Sequence, residues 1–397
     1  MKVLDDIFVV DLSRVLSGPV CSMLLGDMGA EVIKVEPPPF GDDSRLWGPP
    51  FVGGTSTYFL SINRNKKSLG LNLKTEDGRR ILWKLLERAD VLLENFRPGV
   101  LEKLGFGYEA VSKANPRTIY CSISGYGHTG PYRNRPGYDV IAQAESGVMD
   151  LTGEPDRPPV KIGTSIADVV TGLYALQGIL LSLLARHRTG KGQFVDISLL
   201  DSTVSTLTYQ AMIYLSTGQS PRRLGTRHPS IAPYESFEAK DGFLNIGVTN
   251  QKQWTNFCRI LGFPEMAADP RFERMEARLA HYNELRPIID RALAPMTRAE
   301  VLRRMSEAGI PAGPINTVGE ILEDPQIHAR EMVVALTHPE YGPLRVLGIP
   351  IKLSDTPGAI ETAPPLFGEN NRDILLRLGY SDADIKRFAE AGVIAAP

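Results

Sequence analysis

The carboxylate of Asp168 stands at the start of a long apolar segment, where an acid serves either as a helix cap or as a nucleophile. The segment Val169–Ala185 is nearly free of charge and ends in three basic residues, a pattern typical of a buried helix with cations at its carboxyl end. Ser165 and Asp168 have the spacing of a capping box, in which a hydroxyl and an acid bond free N–H groups at a helix start. A carboxylate there can also attack an activated acyl carbon. The spacing alone favours the cap and leaves both roles open.

Other short motifs lack the surroundings that their chemistry needs. Gly125–Gly130 matches the dinucleotide pattern G-x-G-x-x-G, but Pro131 and Pro136 predict a loop where that site requires a helix. Lys191 follows a glycine without the spacing of a Walker loop, so we interpret it as part of a turn. The six histidines are scattered, with His128 in a loop where we expect a solvated ring, and no metal site is predicted. The lack of a G-x-S-x-G motif argues against a serine hydrolase.

Several basic residues fall near the ends of predicted strands. Each alone is expected to be a solvated surface group. Together they would lie at the carboxyl edge of a parallel sheet, where α/β proteins bind phosphorylated ligands. The residues are Lys34, Lys66, Lys67, Lys74, Arg97 and Lys103.

Short runs of β-branched residues alternate with helical patterns in the first half of the chain, which predicts parallel βαβ units. Thr75–Ala89 has its leucines and isoleucine on one face and predicts a surface helix packed on the sheet. The predicted strands are Ile7–Leu12, Glu31–Glu36, Ser68–Leu73, Val91–Glu94, Thr118–Ser124 and Phe194–Ser198. We therefore expect an α/β fold with a large, Rossmann-like, doubly wound domain.

A chain of 397 residues is long for a single core, so a second, smaller α+β domain is expected. Residues 1–216 would form the large domain, and residues 217–233, rich in Gly, Pro, Arg and Ser, would form a linker. Asp241 and Gly242 between two alternating runs predict a hairpin that opens the small domain, residues 234–325. Residues 326–397 would be a second linker and a C-terminal segment.

The composition limits the classes of partner. Hydrophobic residues at 43% and charged residues at 23% are ordinary for a globular protein. With 44 basic against 46 acidic residues, the net charge favours neither nucleic acid nor an anionic membrane, and Val169–Ala185 is short for a membrane span. Cys21, Cys121 and Cys258 are widely spaced and no secretion signal is visible, which predicts a cytoplasmic protein without disulfides. The expected ligands are small molecules.

Seven stretches together resemble the class III CoA-transferase family, whose members include formyl-CoA:oxalate, carnitine and benzylsuccinate CoA-transferases. The superfamily also contains α-methylacyl-CoA racemases. Each stretch is weakly specific alone, but in order they cover most of the predicted large domain. They are Asp11–Pro19, Gly29–Glu36, Asn65–Ser68, Glu94–Gly99, Gly137–Asp139, Gly163–Asp168 and Gly190–Gln193.

The resemblance implies a CoA-transferase that works as an interlocked homodimer, in which the C-terminal segment returns to the large domain. It places the family's aspartate nucleophile at Asp168, which would form a mixed anhydride with the acyl group and then a thioester with CoA. We expect the helix dipole to keep this carboxylate ionised, and nearby N–H groups to stabilise the oxyanion. Acyl-CoA would be the substrate, and neither a metal nor a permanently bound cofactor is implied.

The resemblance also implies contacts with CoA and with the carboxylic acid. Where the family often has a basic pair after the second strand, this chain has Pro37–Pro39, and Arg45 is a candidate replacement. A segment of the small domain would cover the acyl group, and an arginine of the linker would by its charge suit a distal carboxylate. The acid-substrate contacts are expected at Asp139, Arg227, Asn250 and Gln251, and the CoA contacts at Arg14, Val15, Leu16, Ser17, Leu71, Lys74, Asn95, Phe96, Arg97, Lys103 and Tyr138.

Two alternative functions stay open on the sequence. Racemases of the superfamily carry a histidine immediately before the acid that matches Asp139, whereas this chain has Tyr138. A phenol, ordinarily ionised only near about pH 10, is a poor acid–base partner, which favours transfer over racemisation. A catalytically silent CoA-binding protein would keep the basic contacts and lose the nucleophile. Pro159–Asp168 resembles members that use succinyl-CoA and dicarboxylic acids, so CoA transfer between such substrates is the favoured hypothesis.

Overall fold

The computed structural model describes residues 1–395, which fold into two compact units. The first unit contains residues 1–148, 162–209 and 325–395, and the second contains residues 149–161 and 210–324. The sequence analysis placed 149–161 and 210–216 in the large domain, but their contacts assign them to the second unit. The C-terminal segment belongs to the first unit, although much of the second unit separates it in sequence from the central sheet.

Strands and helices alternate through the first unit, and helices predominate in the second. The strands are β1 (Phe8–Asp11), β2 (Glu31–Glu36), β3 (Phe51–Val52), β4 (Thr55–Ser56), β5 (Lys66–Gly70), β6 (Val91–Glu94), β7 (Ile119–Ser124), β8 (Phe194–Ser198), β9 (Tyr234–Ala239), β10 (Gly242–Gly247), β11 (Ala312–Pro314), β12 (Val333–His338) and β13 (Gly342–Leu347). The helices are α1 (Ser17–Asp27), α2 (Thr57–Ile62), α3 (Glu76–Leu86), α4 (Val100–Leu104), α5 (Tyr108–Ala114), α6 (Asp139–Glu145), α7 (Val148–Leu151), α8 (Ile166–Thr189), α9 (Leu199–Ser205), α10 (Tyr209–Thr217), α11 (Gln251–Leu261), α12 (Met275–Ala280), α13 (Tyr282–Leu293), α14 (Arg298–Glu307), α15 (Val318–Leu322), α16 (Pro325–Ala329), α17 (Asn371–Arg377) and α18 (Asp382–Glu390).

The sheet of the first unit has the strand order β5-β2-β1-β6-β7-β8, and each neighbouring pair is parallel. Helices α1 and α8 cover one face, and α3, α17 and α18 cover the other. The predicted α/β fold with a parallel central sheet is confirmed. Because the strand order reverses between β1 and β6, the loops after these two strands border a crevice at the carboxyl edge, where such sheets bind ligands.

Helix α8 spans 24 residues, longer than the apolar segment that predicted it. By length and composition alone it would be able to cross a membrane, a test that the core helices of soluble proteins also pass. At its carboxyl end, Arg186 forms an ion pair with Asp90 at 2.9 Å, and Gly190 ends the helix in the left-handed conformation. One face of the helix is buried against α1 and the sheet through Ala167, Ala175, Ile179 and Leu183, spaced by multiples of four residues.

Helices α1 and α8 approach each other closely near their N-termini. At Gly172 a Cβ atom would lie 2.6 Å from the backbone oxygen of Ser17, closer than real Cβ contacts come. Packing, rather than an unusual backbone conformation, therefore requires glycine at this position. One turn before Gly172, the Asp168 carboxylate is close enough for a hydrogen bond from the Ser17 hydroxyl.

The second unit is built on the antiparallel sheet β11-β10-β9. The predicted hairpin is confirmed, since β9 and β10 pair antiparallel across the turn at Asp241, where Gly242 has a φ of +136°. Apolar side chains from the sheet and from α11, α13 and α14 form its core: Phe237, Leu244, Ile246, Trp254, Phe257, Leu285, Ile289 and Met305.

Gly172→Ala is expected to destabilise the protein, because the added methyl group must push α8 away from the Ser17 carbonyl. Over-packing of this kind costs about 1–3 kcal/mol, which chemical denaturation measures. Gly163→Ala is the matched control, since a Cβ atom at that position meets nothing within 4 Å. Equal stability of the two variants would contradict the close approach of the helices.

Candidate active site

A cavity of about 210 Å³ opens in the first unit at the carboxyl ends of β1, β6 and β7, beside the start of α8. It brings together residues from seven separate stretches of the sequence. Asp168 lines it, together with seven residues expected to contact CoA: Arg14, Val15, Ser17, Asn95, Phe96, Arg97 and Tyr138. The predicted nucleophile and most of the predicted CoA contacts therefore surround one cavity.

Four predicted CoA contacts lie outside the lining of this cavity. Leu16 is the N-cap residue of α1 and packs on the apolar core. Leu71 is only 1% exposed, so a ligand would meet its main-chain atoms rather than its side chain. Lys74 and Lys103 are exposed, and their role in CoA binding stays a prediction.

The three residues of the second unit that were assigned to the acid substrate have contacts within that unit. The guanidinium of Arg227 lies over the ring of Tyr282, 4.2 Å from its centre. The side chain of Asn250 caps α11 by accepting a hydrogen bond from the Gln253 N–H at 3.0 Å. Gln251 begins that helix and is exposed. Their contact with the substrate stays a prediction.

Two side chains fix the conformation of the loop after β1. Val15 has a φ of 69°, unusual for a β-branched residue, and its N–H donates to the Asp42 carboxylate at 3.2 Å. The Asn95 amide accepts from the Arg14 N–H at 2.8 Å and donates to the Arg14 carbonyl at 2.7 Å. Asn95 therefore holds the backbone of the residue that presents a guanidinium to the cavity.

A layer of buried charges underlies this loop, where the sequence analysis expected solvated lysines. Lys34 pairs with Asp42 at 2.8 Å and donates to the Ser13 carbonyl at 2.8 Å, and Lys66 lies 3.6 Å from Asp11. The four charged side chains are fully buried. The prediction of solvated or phosphate-binding lysines at 34 and 66 is wrong, because acids brought by other segments offset the cost of burying them.

Arg45 does not replace the missing basic pair after the second strand. Its guanidinium bonds both oxygens of Glu36, at 2.7 and 2.8 Å, and donates to the Pro365 carbonyl at 3.1 Å. It also lies over the ring of Phe59, and only 5% of the residue is exposed. This arginine is therefore a buried structural group and is not available to a phosphate.

Asp168 does not cap its own helix. Ser165 occupies the N-cap position of α8 without a side-chain bond to the helix, and its hydroxyl bonds Tyr58 instead. Asp139 caps the helix, because its Oδ1 accepts from the N–H groups of Ala167 at 2.9 Å and Asp168 at 3.4 Å. The predicted capping box is therefore wrong, since an acid from α6 takes its place. The Asp168 carboxylate is left to face the cavity.

Burial, together with the charge of Asp139, raises the pKa of Asp168 from its ordinary value of 3.8 to about 7. The hydrogen bond from Ser17 opposes this shift. The expectation that the helix dipole keeps this carboxylate fully ionised is therefore wrong. With a pKa of about 7, the group is divided between its two protonation states near pH 7.

The N–H groups in the first turn of α8 are already bonded. They are therefore not the free donors that the sequence analysis expected for an oxyanion. Ile166 donates to the Thr164 carbonyl at 2.9 Å, Val169 donates to the Ser165 carbonyl at 3.1 Å, and Ala167 and Asp168 donate to Asp139.

Residues 4–371 match the model described as CoA-transferase family III. The chain belongs to this family. The predicted enzyme class is thereby confirmed.

Relatives of this CoA-transferase match it along almost the whole chain. It is 44% identical over 395 residues to succinyl-CoA:glutarate CoA-transferase from Mus musculus, covering 99% of this chain and 91% of the relative. It is 43% identical over 365 residues to acetyl-CoA:oxalate CoA-transferase from Acetobacter aceti, covering 91% of this chain and 92% of the relative. The crystal structure of a CAIB/BAIF family protein from Brucella suis superposes with a TM-score of 0.86 at 43% identity, covering 95% and 99% of the two chains.

Two glycines of the CoA-transferase position the segment that carries Tyr138. A Cβ atom on Gly125 would lie 2.8 Å from the Cα atom of Gly137, so the two backbones touch. This contact explains the first glycine of the G-x-G-x-x-G stretch without a nucleotide. It also places Tyr138, which is 64% exposed, in the lining of the cavity beside Asp168.

One cation of the CoA-transferase cavity escaped the sequence analysis. Arg135 lines the cavity, forms an ion pair with Glu145 and lies over the rings of Tyr126 and Tyr132, at 4.9 and 4.5 Å from their centres. The available signal was an arginine among aromatic residues, between the Gly125–Gly130 motif and the Gly137–Asp139 stretch of the resemblance.

A second polar group at this edge of the sheet was also missed. The ring of His128 is not simply solvated, because it bonds the Ser122 hydroxyl at 2.7 Å and packs edge-on against Phe194. Ser122 also bonds Glu94, and burial raises the pKa of Glu94 to about 7. No local pattern reveals this group, since its members come from β6, β7, β8 and a loop.

Asp168→Asn is expected to stabilise the protein at pH 8 and to have a smaller effect at pH 5. Because the pKa of Asp168 is raised in the folded state, folding gains from its proton below about pH 4 and loses that gain as the pH rises through about 7. The neutral amide removes the cost of burying a charge. The midpoint of thermal unfolding at both pH values measures the difference, expected to be a few degrees at pH 8.

Asp5→Asn is the matched control for that comparison, since Asp5 is an exposed acid of the same unit. Its substitution should shift the unfolding midpoint equally little at the two pH values. A stabilisation by Asp168→Asn that did not grow with pH would contradict the raised pKa.

Proposed function

We propose that this enzyme transfers CoA from succinyl-CoA to a small dicarboxylic acid by way of covalent intermediates on Asp168. The observation that carries the proposal is the state of that carboxylate, which is buried, unpaired with any cation of residues 1–395 and turned into a cavity lined by Arg14 and Arg97. A buried acid with a perturbed pKa in a cleft is typical of a catalytic group. The two guanidinium groups are suited to the phosphates of CoA.

In the first half-reaction, an ionised oxygen of Asp168 attacks the thioester carbon, and the C–S bond breaks to release CoA thiolate. The product is a mixed anhydride. The thiolate then attacks the carboxyl carbon of Asp168, breaks its bond to the bridging oxygen and expels the donor acid as a carboxylate. The donor acid therefore leaves with one oxygen that came from Asp168. The carboxyl carbon of Asp168 now carries CoA as a thioester.

In the second half-reaction, the acceptor carboxylate attacks the same carboxyl carbon and expels CoA thiolate, which forms a second anhydride. The thiolate attacks the acceptor carbon, and the bond between that carbon and the bridging oxygen breaks. The products are acceptor-CoA and the Asp168 carboxylate. Because the acceptor supplied the bridging oxygen, each turnover replaces one oxygen of Asp168.

The surroundings of Asp168 suit a nucleophile that works near neutral pH. A carboxylate with a raised pKa is more basic and therefore more nucleophilic, while a pKa of about 7 still leaves a large ionised fraction. Helix α1 also begins at the cavity, and its N-cap residue Leu16 makes no side-chain bond to it. We assign stabilisation of the oxyanion to the first N–H groups of α1 rather than of α8.

The names of the relatives support the choice of substrates. Both pair an acyl-CoA donor with a dicarboxylate acceptor, glutarate in one and oxalate in the other. The relative with succinyl-CoA in its name matches almost the whole chain. A dicarboxylate has a second anionic end, which a guanidinium group is able to bind through a bidentate ion pair.

Oxygen exchange into Asp168 tests the mechanism directly. When succinyl-CoA and glutarate labelled with ¹⁸O in its carboxylates are turned over, the peptide that contains Asp168 should gain heavy oxygen. Mass spectrometry of the digested protein measures the gain. The peptide that contains Asp139 is the internal control and should gain none, since its carboxylate forms no covalent bond in this scheme.

Two outcomes would contradict the covalent mechanism. One is full transfer activity without label at Asp168, and the other is full activity of Asp168→Ala. Exchange of the α-hydrogen of an acyl-CoA with deuterated water, without any acceptor acid, would instead support racemisation.

We propose that the enzyme is an interlocked homodimer. The face of α8 that is not buried in the first unit carries large apolar side chains. Leu173, Leu180, Leu181 and Leu184 are 47%, 36%, 57% and 64% exposed. A row of exposed leucines of this kind is typical of a surface that another protein covers. We also propose a cytoplasmic location, in keeping with three free, buried cysteine thiols.

Light scattering coupled to size-exclusion chromatography should give twice the mass of one chain. Replacing Leu181→Glu and Leu184→Glu together should abolish the dimer, because two carboxylates would be buried in an apolar interface. Leu376→Glu on α17, a leucine that is 38% exposed, is the matched control and should leave the dimer intact. A native protein of single-chain mass would contradict the proposal.

A further inference from the structure

The carboxylate of Asp139 is fully engaged at the start of the helix that carries Asp168. Its Oδ1 accepts from the N–H groups of Ala167 at 2.9 Å and Asp168 at 3.4 Å. Its Oδ2 accepts from Nε2 of Gln143 at 2.7 Å. Both oxygens are therefore bonded within the protein, which argues against the substrate contact that the sequence analysis assigned to Asp139.

Gln143, one turn later on α6, extends this contact to the segment before α8. Its side chain is fully buried, its Oε1 accepts from the Ile162 N–H at 2.9 Å, and its Nε2 also approaches the Thr164 carbonyl at 3.5 Å. Asp139 and Gln143 of α6 thus bond the main chain of residues 162, 164, 167 and 168. These four points define both the path of the loop and the start of the helix.

We propose that Asp139, supported by Gln143, is a positioning residue that aims the Asp168 carboxylate into the cavity and sets its reactivity. This inference rests on the proposed role of Asp168 as the nucleophile. By capping α8 from another helix, Asp139 frees Asp168 from the capping role that its own position in the first turn favours. The Asp168 carboxylate therefore lines the cavity instead of capping the helix.

The charge of Asp139 has a second effect on the nucleophile. A carboxylate held close to a second negative charge ionises less readily than it would alone. The charge of Asp139 contributes to the raised pKa of Asp168, after burial. The same contact that fixes the direction of the nucleophile therefore also increases its basicity.

Other ionisable groups also surround Asp168, and the test leaves them unchanged. Tyr58 of α2 is close enough that the charges of Asp168 and Asp139 contribute to raising its pKa to about 12. The remaining charged side chains that line the same cavity are Arg14, Asp43, Arg97 and Arg135. A change seen on substitution of Asp139 alone therefore reports on Asp139.

Three variants separate the geometry from the charge. Asp139→Ala removes both. Asp139→Asn keeps an acceptor for the helix N–H groups but turns an amide NH₂ toward the Gln143 amide, so that one hydrogen bond is lost. The double variant Asp139→Asn with Gln143→Glu restores an acceptor opposite that NH₂. The new carboxylate at position 143 also accepts from the Ile162 N–H. The negative charge then lies on the side of Ile162 and Thr164, away from Asp168.

Steady-state kinetics over pH 5–9, together with thermal unfolding, should give the following results. Asp139→Ala should lower kcat at least about tenfold and change the KM for succinyl-CoA by less than roughly threefold, because the cavity arginines are untouched. The double variant should recover most of kcat at pH 8. Its kcat/KM should reach half its maximum at a lower pH than in the native enzyme, because the repulsion on Asp168 is reduced.

Each alternative role predicts a different result. If Asp139 only stabilises the fold, unfolding midpoints will change while kcat and its pH profile do not. If Asp139 binds the acceptor acid, all three variants will raise the KM for that acid, and the double variant will not restore activity. Either result would overturn the proposal.

Labelling of Asp168 by the ¹⁸O acceptor in the native enzyme distinguishes this inference from the proposed function. If the native enzyme does not incorporate the label, the covalent mechanism fails. If it does, and the Asp139 variants keep the native kcat and pH profile, only the positioning role fails.

Discussion

The site depends on one constraint, which is that Asp168 stays buried without an ion pair to any cation of residues 1–395. Three other buried acids of the first unit are neutralised by ion pairs: Asp42 by Lys34, Glu36 by Arg45 and Asp27 by Arg64. Those pairs offset the cost of removing charge from water. Burial and the charge of Asp139 destabilise the ionised form of Asp168, and the hydrogen bond from Ser17 offsets only part of that cost. This difference separates those three structural acids from the one that we assign to catalysis.

The surrounding backbone leaves that carboxylate little freedom. Gly172 allows α8 to touch α1, and the contact between Gly125 and Gly137 brings the segment before α6 to the same edge of the sheet. The loop after β1 rests on buried ion pairs and on the Asn95 amide. Each of these contacts involves main-chain atoms or fully buried groups. A site built in this way holds its reacting group in one geometry before the substrate arrives, which is what catalysis by positioning requires.

The sequence predicted the parallel sheet because short runs rich in β-branched residues alternate with helical patterns, and this alternation is visible without knowledge of the tertiary contacts. The start of α8 was predictable because the apolar segment Val169–Ala185 is continuous in the sequence. Its cap was predicted wrongly because the spacing of Ser165 and Asp168 is a local signal, whereas Asp139 lies 29 residues before Asp168. Lys34 and Arg45 were misassigned for the same physical reason. A basic side chain is solvated or buried according to the acids that other segments bring to it, and those acids are not specified locally.

The repulsion between the two carboxylates changes through the proposed reaction. It is greatest in the free enzyme, where Asp168 is able to ionise beside Asp139. Formation of an anhydride or a CoA thioester makes the side chain at 168 neutral, so the repulsion and much of the cost of burial disappear together. An acyl-aspartyl intermediate is high in free energy by its own chemistry. Because the starting carboxylate is destabilised, the free-energy difference between it and the intermediate is smaller. The contact that makes the folded protein less stable near neutral pH therefore also makes the first covalent step less unfavourable, provided that water is kept from the anhydride.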